Sequence, residues 1–155
     1  MSSLVVWRLV AQRHAATAFS GEGARKYGAR WSPVGLGVVY CSESRSLAAL
    51  EIVVNARNGA KLVGEPWAVL AAEIPVGLVE RPARVPDNWR EHPHPRATQE
   101  FGAKWVREGR SAVLRVPSVV VLGEFNFLLN PSHPDFAQVH VGQPEPFSFD
   151  PRLGV

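Results

Sequence analysis

The segment from Ser46 to Asn55, SLAALEIVVN, carries one charged residue, Glu51, and this constrains the chain more than any other feature. Leu47, Leu50 and Val54 recur at helical spacing and form an apolar stripe. Glu51 lies four residues after Leu47 and three before Val54, beside that stripe. A carboxylate is seldom drawn toward a core unless something pairs with it or uses it. Two roles fit Glu51: one half of a structural ion pair at a helix edge, with Arg30 a candidate partner, or a working carboxylate.

The surrounding elements are short. The run from Val5 to Val10 reads as a strand, and Ser20 to Gly28 as a glycine-punctuated loop. Gly37 to Cys41 is β-branched and predicts a strand ending near Tyr40. Ser42 to Ser46 supplies capping residues for the Glu51 helix, which runs to about Ala56 with Asn58 and Gly59 as its stop. Trp67 to Ile74 predicts a strand closed by Pro75. Pro82, Pro86, Pro93 and Pro95 prevent regular structure over most of 81–95. Thr98 is the expected cap of a helix to Glu108, with Phe101 and Trp105 stacked four apart and Gly109 at its end. Ser111–Val116 and Val119–Leu122 read as strands broken by Pro117. Phe127 to Pro131 leads into a turn, Gln138–Val141 is a late strand, and Pro144, Pro146 and Pro151 mark a tail. Many short strands with two principal helices make the chain α+β, a single domain over 1–155.

Composition agrees with that reading. A chain of 155 residues buries roughly 70% of its unfolded surface without help from disulfides or metals. The single cysteine, Cys41, excludes an intrachain disulfide and suits a reducing cytoplasm. No stretch approaches the roughly 18 apolar residues of a membrane span, and Arg8 cuts short the first apolar run, so a secretory signal is not expected. The net charge is +3, but acidic residues are interleaved among the arginines. That distribution argues only weakly for nucleic acid. P-loop, dinucleotide-fold and serine-hydrolase signatures do not occur. The histidines make no metal-ligand pattern, His92 and His94 lying in a proline-rich loop. Asn126, Asn130 and His133 read as architectural.

Trp7–Arg8, Gly28–Trp31, Val39–Tyr40, Leu47–Glu51, Val116–Ser118 and Asn130–Asp135 occur in that order over nearly the whole chain. This ordered set resembles the RES-domain family, toxins of bacterial toxin–antitoxin pairs named for an arginine, a glutamate and a serine. Two departures are visible. Ala29 stands where a second glycine usually precedes the arginine, and the turn from Ser32 to Gly35 replaces an Asn-Pro-x-Gly-like one.

The resemblance implies an ADP-ribosyltransferase-like fold, two bent β-sheets framing an NAD cleft with flanking helices. It implies cleavage of the nicotinamide N-glycosidic bond, by hydrolysis or phosphorolysis, with no cofactor beyond NAD as substrate. Glu51 would then oppose the oxocarbenium-like charge on the ribose. Arg30 offers a planar donor fork for a phosphate or a ribose–phosphate edge, or it stacks on Trp31 or pairs with a surface acid. Arg8 is a second candidate for the pyrophosphate, or it faces solvent. The Tyr40 ring would stack on nicotinamide, or it is a half-buried tyrosine with its hydroxyl at the surface. Ser118 would donate to a ribose or phosphate oxygen, or close a local turn. The implied partner is a helix-turn-helix antitoxin whose C-terminal segment plugs the cleft, so no direct nucleic-acid contact is expected. Two alternatives stay open: ADP-ribosyl transfer to a cellular protein, and a nucleic-acid-binding or RNA-cleaving toxin, for which the basic pI is the only support.

Overall fold

The computed structural model describes residues 2–154. Its centre is a long antiparallel pair, β1 (Ser3–Ala11) and β3 (Trp67–Pro75), matched from Ser3↔Pro75 to Ala11↔Trp67. A second group comprises β2 (Val39–Ser42), β5 (Val113–Pro117) and β6 (Phe125–Leu129), with the two-residue β4 (Val79–Glu80) parallel to β5. β7 (His140–Val141) and β8 (Glu145–Phe147) both pair with β3. The strands run in the order β4-β5-β6-β2-β1-β3-β7 in one sheet of eight. The expected two sheets are therefore joined. The join is narrow, because β1 and β2 share one matched pair, Trp7↔Ser42, and separate beyond it.

Side-chain alternation sends one set of residues to each face. Val6, Val39, Cys41, Ala72, Ile74, Val113 and Leu129 form one core cluster. On the other face the sheet is covered in two places. Leu114, Val116 and Leu128 meet Trp31 and Trp105 of α4 (Arg96–Glu108). Leu9 and Val69 meet Ala48 of α2 (Arg45–Asn55) and Leu62 of α3 (Gly59–Gly64). α4 comes unusually close at Gly102, where an added Cβ would lie 1.7 Å from the carbonyl oxygen of Trp31.

The cap of α2 falls within the expected stretch, while several other elements differ from the sequence reading. Ser44 caps α2, its hydroxyl accepting from the Leu47 amide at 3.0 Å. The buried face of α2 is Leu47, Ala48 and, in part, Ile52, while Leu50 and Val54 are exposed. Periodicity could not choose that face because the segment is apolar almost all round. Asn58 does not simply stop α2: its side chain accepts from the Ala60 and Lys61 amides and starts α3. A short helix, α1 (Glu22–Tyr27), occupies the expected glycine-rich loop. α4 begins at Arg96, and Thr98 is buried with its hydroxyl on the Pro95 carbonyl rather than capping. Phe101 packs edge-on against Trp31, and Trp105 instead donates its indole proton to Ser111. Val119–Leu122 is a turn, and Phe125–Leu129 is the strand that follows it. The proline-rich tail is built in, with β8 on the sheet edge and Phe149 buried against Trp67.

Candidate active site

A cavity of about 120 Å³ opens where β1 and β2 part. Trp7, Arg8, Tyr40, Ser42, Glu51 and Asn126 are among the residues that line it. Glu51 reaches it from α2. Its Oε2 accepts from the Ser118 hydroxyl at 3.0 Å and from the Asn126 amide at 2.8 Å. Among the described residues neither a lysine nor an arginine forms an ion pair with it. Hydrogen bonds from neutral donors fix a carboxylate without neutralising it, and those made to a charged group are the stronger kind.

Each donor is itself held. Ser118 follows the last residue of β5 and is fully buried. Its hydroxyl donates to Glu51 and accepts from the Val120 and Val121 amides, both at 3.1 Å. It closes the local turn and orients the carboxylate at once, and it is not turned toward open space. Asn126 on β6 sits opposite Ser42 on β2, and the Ser42 hydroxyl donates to its Oδ1 at 2.7 Å. That bond fixes the amide so that its nitrogen faces Glu51. The sequence reading gave Asn126 an architectural role. The available signal was an isolated amide in the strand FNFLL, otherwise entirely apolar.

Tyr40 brings its ring against the Trp31–Trp105 cluster and its hydroxyl to Ser32 at 2.7 Å. Burial drives its ionisation well above the usual phenol range, with the Ser32 bond opposing. The hydroxyl is therefore an internal anchor and not a surface group. Ser32 is two residues from Arg30, so Tyr40 secures the turn that presents the arginine. That turn starts at Gly28, where φ is 71° and a Cβ would lie 3.2 Å from the Val34 nitrogen.

Arg30 lines neither this cavity nor its neighbour. Its Nη1 donates to the carbonyls of Trp89 (2.9 Å) and Glu91 (2.7 Å), tying down the proline-rich loop. Partial burial lowers its pKa, while the charge of Glu51 acts to raise it, so the two charges sense each other without touching. Trp31 is buried, so it contributes to the core and not to a cleft wall. Arg8 does not face solvent. Its Nε donates to the Ala18 carbonyl (2.6 Å) and its Nη1 to the Tyr40 carbonyl (2.9 Å). Where β1 and β2 separate, Arg8 supplies the donor that a ladder would have given. Burial lowers its pKa, and it in turn opposes the rise of Cys41, whose thiol burial pushes up to about 12.

A second, larger cavity of about 540 Å³ adjoins the first, sharing Glu51 and Ile52. It extends along the C-terminal half of α2 to α3 and Trp67. Among the described residues no group of three or more His, Cys, Asp or Glu side chains could hold a metal ion, and no helix is long and apolar enough to cross a membrane.

Comparison with known proteins adds to this geometry. The family model described as RES domain matches residues 5–150. The chain is 36% identical over 156 residues to a Prs ADP-ribosylating toxin from Sphingobium sp. (strain YBL2), covering 95% of this chain and 94% of that protein. It is 36% identical over 151 residues to Toxin Res from Yersinia enterocolitica, with 97% and 99% covered. Among solved structures, a chain of the M. tuberculosis MbcT–MbcA toxin–antitoxin complex superposes with a TM-score of 0.75 over 98% of this chain and 87% of that one. Sequence identity there is 16%, so the likeness is one of fold.

Proposed function

The chain belongs to the RES domain family, and from that premise we propose that it is the toxin of a toxin–antitoxin pair and consumes NAD by breaking the bond between nicotinamide and ribose. The observation that carries this reading is the way Glu51 is held. Two neutral donors fix Oε2, and among the described residues no lysine or arginine forms an ion pair with the group, which lines the cavity.

When nicotinamide departs, the bonding pair goes to its ring nitrogen, which becomes neutral. The ribose is left with a positive charge shared between its anomeric carbon and ring oxygen. A rigid carboxylate beside that charge stabilises the transition state more than the bound substrate. Capture by water yields ADP-ribose and a proton, and capture by phosphate yields a phosphorylated ADP-ribose. Nicotinamide leaves without further assistance because its nitrogen is already cationic, so no other cofactor is required.

Ser118 and Asn126 act through Glu51 as positioning residues. Tyr40 is among the residues that line the cavity and steadies the Arg30 turn with its hydroxyl. Arg30 lines neither cavity and acts by holding the loop at Trp89 and Glu91, and Arg8 maintains the seam beside the reacting sugar.

A second reading is ADP-ribosyl transfer to a protein side chain, favoured by the name of the Sphingobium relative. The partner we propose is a helix-turn-helix antitoxin whose C-terminal segment fills the cavity mouth, a reading supported by the fold shared with a member of a toxin–antitoxin complex. Mass spectrometry of products formed from NAD, with and without phosphate and an added protein extract, separates these outcomes. Nicotinamide release by the parental chain is expected. A folded parental chain that releases none overturns the proposal.

A further inference from the structure

We infer that the larger cavity receives the adenosine diphosphate half of the dinucleotide, with Arg57 and Lys61 on its diphosphate. The inference rests on the NAD reading and assigns the part of the substrate that lies away from the reacting bond. The cavity at the seam, about 120 Å³, is far smaller than the roughly 300–1,000 Å³ typical of small-molecule sites. A dinucleotide broken at Glu51 must therefore extend beyond it. The adjoining cavity, about 540 Å³, falls in that range and begins at the same carboxylate.

Charge points the same way. A dinucleotide diphosphate carries two negative charges and needs cations that are not already occupied. Arg8 has its Nε and Nη1 on main-chain carbonyls, and Arg30 lines neither cavity. Arg57 and Lys61 both line the larger cavity, and among the described residues neither has an ion-pair partner. The one acid there besides Glu51 is Glu65, which is paired with Arg13 on the neighbouring segment. Among the described residues the cavity thus holds two cations without an ion-pair partner, one acid compensated by Arg13, and, at the end it shares with the first cavity, Glu51.

Its walls are fixed. Asn58 caps α3 through the Ala60 and Lys61 amides and so holds the backbone that carries Lys61. Trp67 donates its indole proton to the Leu62 carbonyl at 2.8 Å and meets Phe149 edge-to-face at 5.4 Å. It gives the cavity a rigid aromatic side, and a rigid flat ring is suited to an adenine. Gly59 lets the C-terminal segment lie against α3, since an added Cβ there would be 2.9 Å from the Leu153 carbonyl oxygen.

The test uses the double substitution Arg57→Gln with Lys61→Gln in the full chain. Both residues are exposed, Arg57 lies in the connection between α2 and α3, and glutamine keeps the helix preference of Lys61, so circular dichroism and the unfolding midpoint should match the parent. Titration with ADP and with adenosine, together with steady-state NAD kinetics, reads the subsite. We expect ADP affinity to fall at least tenfold, adenosine affinity to change less than twofold, and the KM for NAD to rise at least tenfold with kcat within twofold. If ADP affinity and KM are unchanged while NAD is consumed, the diphosphate lies elsewhere and this inference fails alone. If the folded parent neither binds ADP nor consumes NAD, the reading beneath it fails as well.

Discussion

The two halves of the sheet are built differently, and the candidate site depends on both. β1 and β3 are paired along their whole length and carry α2 and α3 on one face. β5, β6 and β2 form a separate ladder covered by α4 and the Trp31 turn. Glu51 belongs to a helix on the first half, while its partners Ser118 and Asn126 belong to strands of the second. One matched pair, Trp7↔Ser42, joins the two ladders, and Arg8 bridges them just beyond it. The lesson is that a seam can serve as a site. A continuous ladder would leave no opening, and two separate sheets would leave the carboxylate without its donors.

The largest expected effect sharpens the contrast on the α4 side. Trp105 is fully buried there, and Trp105→Ala should cost about 3–5 kcal/mol in urea unfolding. A cost below about 1 kcal/mol would mean that this half is not organised around the indole. Glu51→Gln comes next. It should lower NAD turnover on the order of 10²–10³-fold, with the unfolding midpoint nearly unchanged. Parental turnover in the folded variant would remove Glu51 from the mechanism.

Asn126→Ala attacks the seam from the opposite half. The lost hydrogen bond to a charged group is worth about 1.5–3 kcal/mol, and if orientation is its role the loss should appear in kcat more than in KM. Ser118→Ala in the same background should add less than its separate effect, because both donors serve one oxygen. Full additivity would mean that they do not act through Glu51. Tyr40→Phe is milder, with an expected stability loss of about 0.5–1.5 kcal/mol from the Ser32 bond. Turnover that stays parental in that variant would show that the Arg30 turn needs no anchoring hydroxyl.

Cys41 gives the smallest effect. Its thiol ionises near 9 in the ordinary case and near 12 when folded, so the unfolded chain releases the proton first. Its contribution to stability is intact below pH 9 and declines as pH rises from 9 toward 12. Tyr40, also raised, adds to the decline from about pH 10 upward. Native protein at pH 8 should leave a thiol reagent unreacted until it is unfolded. Rapid labelling of the native thiol would place Cys41 in an open seam.

Parts of this arrangement were legible without coordinates. Glu51, alone among apolar residues, marked itself as a carboxylate drawn toward a packed surface, and Ser44, inside the expected capping stretch, starts its helix. The proline-rich 81–95 stretch is irregular as its composition implies. The face of α2 was not legible, because Leu50 and Val54 repeat as regularly as Ala48 and Ile52. Contact with β1 and β3, and the two hydrogen bonds at Glu51, choose between them. The C-terminal tail misled for a related reason. Its prolines suggested a loose end, but β8 needs only an edge strand to pair with, and β3 offers one.

The lone carboxylate of an apolar helix marked Glu51, and the ordered set that resembles the RES family added two arginines, a tyrosine and a serine as residues that could matter. Only the tertiary structure decided what each of them faces. Arg8 and Arg30 have the same guanidinium fork, and each is next to a tryptophan. One nevertheless lies against the carbonyls of a split sheet, and the other holds a loop almost sixty residues away. Asn126 and Ser42 become partners because β2 and β6 are in register, a relation between segments 84 residues apart. Hydrogen bonds of this kind depend on distances of a few tenths of an ångström between elements remote in the chain. Residue type sets what such a group can do, and packing sets which neighbour it does it to.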